Sequence, residues 1–211
     1  MLFLDELPEY RRDVLEALRQ PLEDGFVTIT RVSAQATYPA RFVLICSMNP
    51  CPCGHLGSRT QHCRCTPSEI RRYLNRISGP LLDRIDMHIE VESIPADHLA
   101  DTAESECSAS IRARVSAARE IQLKRYESER GNVRCNAQLD ARTLAKSCIM
   151  TPEARELLLL SSERLRLSNR AYTRILKVAR TIADLEGADE IAAEHISEAV
   201  QYRTLDRKYW G

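Results

Sequence analysis

Two adjacent carboxylates, Asp5 and Glu6, close the apolar run Met1-Leu2-Phe3-Leu4. A continuous apolar run suits a parallel strand buried on both faces. Charges at its C-terminal end emerge in the crevice where α/β sheets bind ligands. At such a position one carboxylate can help hold Mg²⁺ and its neighbour can orient or activate a water that attacks a phosphate. Asp5 is the metal-side candidate and Glu6 the water-side candidate; a strand that merely ends in Asp-Glu reads the same way. A second set of capable side chains is Cys51-Pro52-Cys53-Gly54 and Cys63-Arg64-Cys65. Two C-x-C pairs can bring four thiolates to one tetrahedral Zn²⁺, with His55 and His62 as alternative ligands. The other reading is a loop of reduced cysteines with no metal.

The carboxylate pair matches the Walker B pattern of a P-loop NTPase. The phosphate-binding loop of such a protein, G-x-x-x-x-G-K-[ST], does not occur in this sequence, and no Gly is followed by Lys. Three further polar residues fit a nucleotide site. Asn49, just beyond the apolar stretch Arg41–Cys46, is placed to position water near a γ-phosphate, or else starts a turn before Pro50. Arg84, between Leu81-Leu82 and Ile85, can reach a neighbour's phosphate as an arginine finger, or else forms a surface salt bridge with Asp83 or Asp86. Arg170 and Arg174 lie four apart on one helix face, and for Arg174 a solvated basic face is the preferred reading.

A chain of 211 residues makes one large domain or two small ones. Thirty Lys and Arg balance thirty Asp and Glu, which argues against a strongly basic nucleic-acid binder while leaving room for a local basic patch. No apolar run is long enough to span a membrane and no signal peptide opens the chain, so a cytoplasmic protein with reduced cysteines is expected.

The elements that must position these residues follow from periodicity. Pro8 opens a helix with Val14, Leu15 and Leu18 on its apolar face, stopping near Gln20-Pro21, and Glu23-Asp24-Gly25 forms a turn. Phe26–Thr30 and Arg41–Cys46 read as strands with a hairpin over Val32–Thr37. Ser68 caps a helix to Ile77, and Met87–Glu92 alternates like a strand. Residues 93–106 form a linker. From Cys107 onward the pattern is helical: a charged helix broken at Gly131-Asn132, a short one at Leu139–Ala145, and Pro152–Leu165 with Leu157, Leu158 and Leu160 as core. Ser168 caps a helix to Glu186 that Gly187 ends, and Ala192–Tyr202 is the last. The tail 203–211 is expected to be poorly ordered.

Five stretches carry a resemblance: LFLDELPEY at 2–10, EALRQPLEDG at 16–25, SMNPCPCG at 47–54, CRCTPSEIRRYLNRISGPLLDRID at 63–86 and SNRAYTRILKVARTIADLEG at 168–187. Their order resembles the second half of an AAA+ ATPase with a hairpin before sensor 1, most closely the ComM/YifB-like magnesium chelatase-like family. The resemblance implies an α/β fold. A partial AAA+ P-loop NTPase core, from the Walker B strand onward, fills 1–92 with the Cys-rich loop at 50–66, and an all-α lid fills 107–202. It implies Walker B roles for Asp5 and Glu6, sensor 1 for Asn49, the arginine finger for Arg84 and sensor 2 for Arg170. Arg31, on the hairpin facing a ring pore, becomes a candidate substrate contact. It implies Mg-ATP as cofactor, a self-assembled hexamer, and DNA branch migration in natural transformation. It gives no metal assignment for Cys51, Cys53, Cys63 and Cys65. Relatives carry a Lon-protease-like domain and a P-loop ahead of Walker B, so this chain is expected to be a fragment or truncation that binds ATP weakly and does not hydrolyse it. The alternatives are a zinc-binding module for assembly or DNA contact without ATP, and a magnesium chelatase ATPase subunit.

Overall fold

The structure, a computed structural model, describes residues 1–31, 34–58, 60–91, 106–128 and 133–205. These form two compact units: Met1–Ile85 belong to one, and Asp86–Ile89 join residues 106–204 in the other. The architecture is mixed α/β, with small sheets in the first unit and helices in the second. The expected linker, apart from Glu106, lies outside the described residues, as do Val32 and Ser33 of the hairpin, Gly131-Asn132, and the tail from 206.

In the first unit, β1 (Leu2–Leu4) pairs parallel with β4 (Leu44–Cys46), with Leu2 opposite Leu44, Phe3 opposite Ile45 and Leu4 opposite Cys46. Antiparallel strands β2 (Phe26–Arg31) and β3 (Ala34–Pro39) form the hairpin, which begins on the expected strand and reaches past Thr37. β4 is shorter than the Arg41–Cys46 expected. The helix predicted after Pro8 is a 3₁₀ turn at Leu7–Glu9 followed by α1 (Arg12–Ala17) and α2 (Arg19–Asp24). Pro21 does not end it. It sits in the first turn of α2, where a missing N–H costs nothing, and Gly25 at φ 73° is the actual stop. Val14 points to solvent while Leu15 is buried. α3 (Pro67–Leu74) starts one residue earlier than the Ser68 cap implied. Thr66 is the cap, its Oγ1 accepting the Glu69 N–H while Glu69 Oε2 accepts the Thr66 N–H at 2.8 Å. A short α4 (Gly79–Leu82) follows. Leu7, Leu15, Ile77, Leu81 and Leu82 form the core, with Leu4, Leu18, Leu22, Cys46 and Met48 packed against it.

Residues 87–91 form no strand. Among the described residues no strand pairs with them, and Met87, Ile89 and Val91 are exposed. The second unit holds α5 (Ser108–Tyr126), α6 (Ala141–Ser147), α7 (Pro152–Leu165), α8 (Asn169–Glu186) and α9 (Ala193–Gln201). Asp140, Thr151 and Ser168 cap α6, α7 and α8 through their side chains. Leu158, Ile175, Ala179, Ala183, Ile191 and Ile196 lie in its core. Leu160, expected there, is 57% exposed. Arg203, assigned to the tail, is buried. Among the described residues no helix is long and apolar enough to cross a membrane.

Candidate functional site

Parallel, in-register pairing sends the C-terminal ends of β1 and β4 to the same edge. Leu4 lies opposite Cys46, so Asp5 and Ser47 leave the sheet side by side. The Ser47 hydroxyl donates to Asp5 Oδ1, which also accepts the Glu6 N–H at 3.0 Å. Two backbone bonds lock the edge: Ser47 N–H to Leu4 O at 3.0 Å and Leu7 N–H to Ser47 O at 2.9 Å. Glu6 adopts a left-handed conformation, φ 51° and ψ 51°, unusual for a residue with a Cβ and characteristic of functional edges. The turn buries Leu7 and leaves both carboxylates exposed. Asp5 Oδ2 and the whole Glu6 carboxylate make no hydrogen bond among the described residues, so an acceptor pair is open to a hydrated cation and a water. The sequence did not single out Ser47. Its signal was available: the residue after β4 must match the residue after β1 if the two pair in parallel.

Asn49 lies two residues further on and is exposed. Its Oδ1 comes within 3.8 Å of the position a Cβ on Gly54 would take, so its side chain rests on the turn that opens the cysteine loop. Tyr73 of α3 is buried beneath it. Burial pushes the Tyr73 phenol up, Glu9 and Glu6 add to the rise, and the Asn49 backbone N–H pulls it down. Tyr73 thus senses both the carboxylate edge and the Asn49 backbone.

Arg84 is not at the surface. Its side chain is 7% exposed, ion-paired with Glu23 at 2.7 Å and donating to Pro80 O at 2.5 Å. The surface pair with Asp83 or Asp86 is replaced by this buried one. Asp86 instead meets Arg174, which overturns the solvated reading of Arg174. Arg170 is exposed in the first turn of α8, in the helical unit. Arg31 is exposed at the end of β2.

The four loop cysteines converge. Cys51 Sγ lies 3.4 Å from Cys53 Sγ and 3.6 Å from Cys63 Sγ, and Cys53 and Cys63 are 3.6 Å apart. All four sulfurs, Cys65 included, lie within 4.8 Å of one another. None is a disulfide. The structure does not bring His55 or His62 into the group. Backbone N–H groups of His55 and Arg64 hold the Cys53 thiol down to about 5. Cys65 is pushed up to about 12, by burial and by its neighbour Cys53. One thiolate is therefore welcome and further ones repel it, the electrostatic condition that a central cation relieves. Cys46 and Cys148 differ: burial raises each to about 11, and they remain inert thiols.

Residues 1–99 match the profile described as magnesium chelatase, subunit ChlI, and residues 105–203 match its C-terminal domain. YifB of Salmonella typhimurium is 47% identical over 208 residues, covering 98% of this chain and 40% of the relative. The chain belongs to the ComM/YifB-like magnesium chelatase-like family. Within that family the competence protein ComM of Haemophilus influenzae is 46% identical over 208 residues, 98% of this chain and 39% of its own length. An uncharacterized protein of Mycobacterium bovis is 36% identical over 203 residues, 96% of this chain and 39% of its own. The chain thus spans about 40% of the length of the curated relatives it matches.

Proposed function

We propose that this chain is the water-activating and lid-bearing part of an AAA+ ATPase that assembles as a hexamer and drives branch migration of DNA. The observation that carries the reading is the β1–β4 edge. Asp5 is held by Ser47 and keeps one oxygen open. Glu6 is held out by its left-handed backbone, and Asn49 follows on the neighbouring strand. Asp5 would ligate Mg²⁺, Glu6 would orient water, and Asn49 would position that water against a γ-phosphate. Arg84 and Arg170 would serve as arginine finger and lid contact. Arg84 would have to leave Glu23 to reach a neighbouring subunit's nucleotide. Arg31 would touch DNA. The phosphate grip must come from a P-loop, which this sequence does not contain.

The test is made on a protein that joins this chain to a P-loop-bearing segment. Glu6→Gln should retain ATP binding and abolish turnover, and Asp5→Asn should weaken Mg²⁺-dependent binding. Branch migration of a four-way DNA junction should stop in both. Turnover unchanged in Glu6→Gln overturns the assignment. The magnesium chelatase alternative predicts ATP-dependent metal insertion into a tetrapyrrole and no effect on DNA. A second reading, favoured by the sulfur cluster, is that Cys51, Cys53, Cys63 and Cys65 hold zinc. It stands independently of nucleotide chemistry.

A further inference from the structure

The cysteine loop begins two residues after Asn49 and ends one residue before the Thr66 cap of α3, so it bridges the end of β4 and the start of α3. We infer that one zinc ion held by Cys51, Cys53, Cys63 and Cys65 clamps Asn49 in place beside the Asp5–Glu6 edge. This deepens the zinc reading above and does not depend on the ATPase reading.

The donor set fits the ion. Zinc–sulfur bonds of about 2.3 Å in a tetrahedron give sulfur–sulfur edges of about 3.8 Å. The separations of 3.4 and 3.6 Å lie just inside that edge, and all four sulfurs fall within 4.8 Å of one another. Disulfides would need about 2.05 Å, and the sulfurs are too close together to enclose a multi-iron cluster.

The loop has little else to hold it. Its described residues from 51 to 65 form no helix or strand, and Cys51 is its one fully buried member. The cost of closing such a loop falls on whatever cross-links it. With the metal bound, Cys51 and Cys53 become fixed points. Between them and His55 the chain makes a tight turn, Gly54 N–H to Cys51 O at 3.0 Å, with Gly54 at φ 80°. The Asn49 side chain rests on that turn. At the other end, Cys65 directly precedes Thr66, the cap of α3. Asn49 is held through the Gly54 turn and is not itself a ligand.

Zinc is measured by elemental analysis on the chain purified without chelators, and cobalt substitution reports ligand type by absorption. One zinc per chain is expected, with intense thiolate-to-cobalt bands, and Cys63→Ser/Cys65→Ser should reduce zinc to near none. A chain with no zinc, or with iron in its place, overturns the metal assignment. The clamp is tested separately by hydrogen exchange. Removing zinc should speed exchange of the Met48, Asn49 and Cys51 amides at least tenfold, while amides of α8 stay unchanged. Coupling is reciprocal, so Asn49→Ala, which removes the side chain that rests on the Gly54 turn, should lower zinc affinity roughly threefold. That second measurement decides even if the stripped chain unfolds. Zinc bound at full stoichiometry with affinity unchanged in Asn49→Ala, or unchanged exchange at Asn49, leaves the metal and overturns the clamp.

Discussion

Asp184 shows why burial rather than charge count decides what a residue contributes. Its carboxylate is buried in the helical unit and accepts from Arg125 at 2.5 and 3.0 Å, Arg180 at 3.0 Å and Asn136 Nδ2 at 2.8 Å. Arg180 is fully buried and also donates to the carbonyls of Ala188 and Asp189. Removing the acid strands a buried guanidinium, so Asp184→Ala should destabilise the helical unit by about 3–5 kcal/mol in urea denaturation. Glu106 and Arg114 form an equally short pair at 2.7 Å, but half in water. Arg114→Ala should leave the urea midpoint essentially unchanged. Nothing local in the sequence marks the Asp184 partners 59 and 48 positions away. The partner of Arg84 was missed in the same way. Glu23 is remote, and the nearby acids offered a simpler pairing. Asp5, Glu6 and Asn49 stood out because each follows an apolar run, a local signal, and the structure puts Asp5 and Glu6 directly after β1. The cysteines were legible as a set, because their spacing alone restricts which sulfurs can meet.

At the scale of elements, legibility followed how local the deciding force is. α7 begins at Pro152 and ends at Leu165 as expected, and α8 runs between its Ser168 cap and Gly187. Those boundaries are written in Pro, Ser and Gly. Of the expected strand over Met87–Glu92, the described residues 87–91 form none, because a strand needs a neighbour and alternation cannot supply one. α3 was read with the wrong cap: Ser68 was favoured by type, but Thr66 alone has Glu69 at the spacing for a reciprocal capping box. Two outcomes follow for α3. Thr66→Ala should destabilise the first unit by about 1 kcal/mol. Glu69 should add a pH dependence, since bonds from the Thr66 backbone and side chain hold its carboxyl below the usual range. A depressed folded-state value means that the contribution is present above the unfolded value, about 4.3, and is lost as pH falls through the lower folded one. Glu69→Ala should therefore shift the urea midpoint at pH 7 and cease to shift it once pH is low enough to protonate the folded carboxyl.

The two-stranded sheet links the site to the molecule it belongs to. One face, with Leu4 and Cys46, packs on the first unit's core. The other presents Phe3 beside Ile45 and Met1 level with Val43, exposed at 58%, 41%, 87% and 62%. Four large apolar side chains on one small sheet form a surface that water disfavours, and the unpaired strand edges add to it. Isolated, the chain should self-associate and bind a hydrophobic dye. Phe3→Glu with Ile45→Glu should suppress both, with the helical unit's melting unchanged, as measured by light scattering and calorimetry. The same sheet limits the chemistry. Asp5, Glu6 and Asn49 can hold a cation and a water, but no backbone nest and lysine in this sequence grip the β- and γ-phosphates. Mg-ATP should thus bind the isolated chain weakly and survive it unhydrolysed. Turnover that disappears in Glu6→Gln would mean that the carboxylate edge hydrolyses ATP without a P-loop. In the proposed reading Glu6 orients the attacking water while the phosphate is held by groups this sequence does not contain, so hydrolysis would need both.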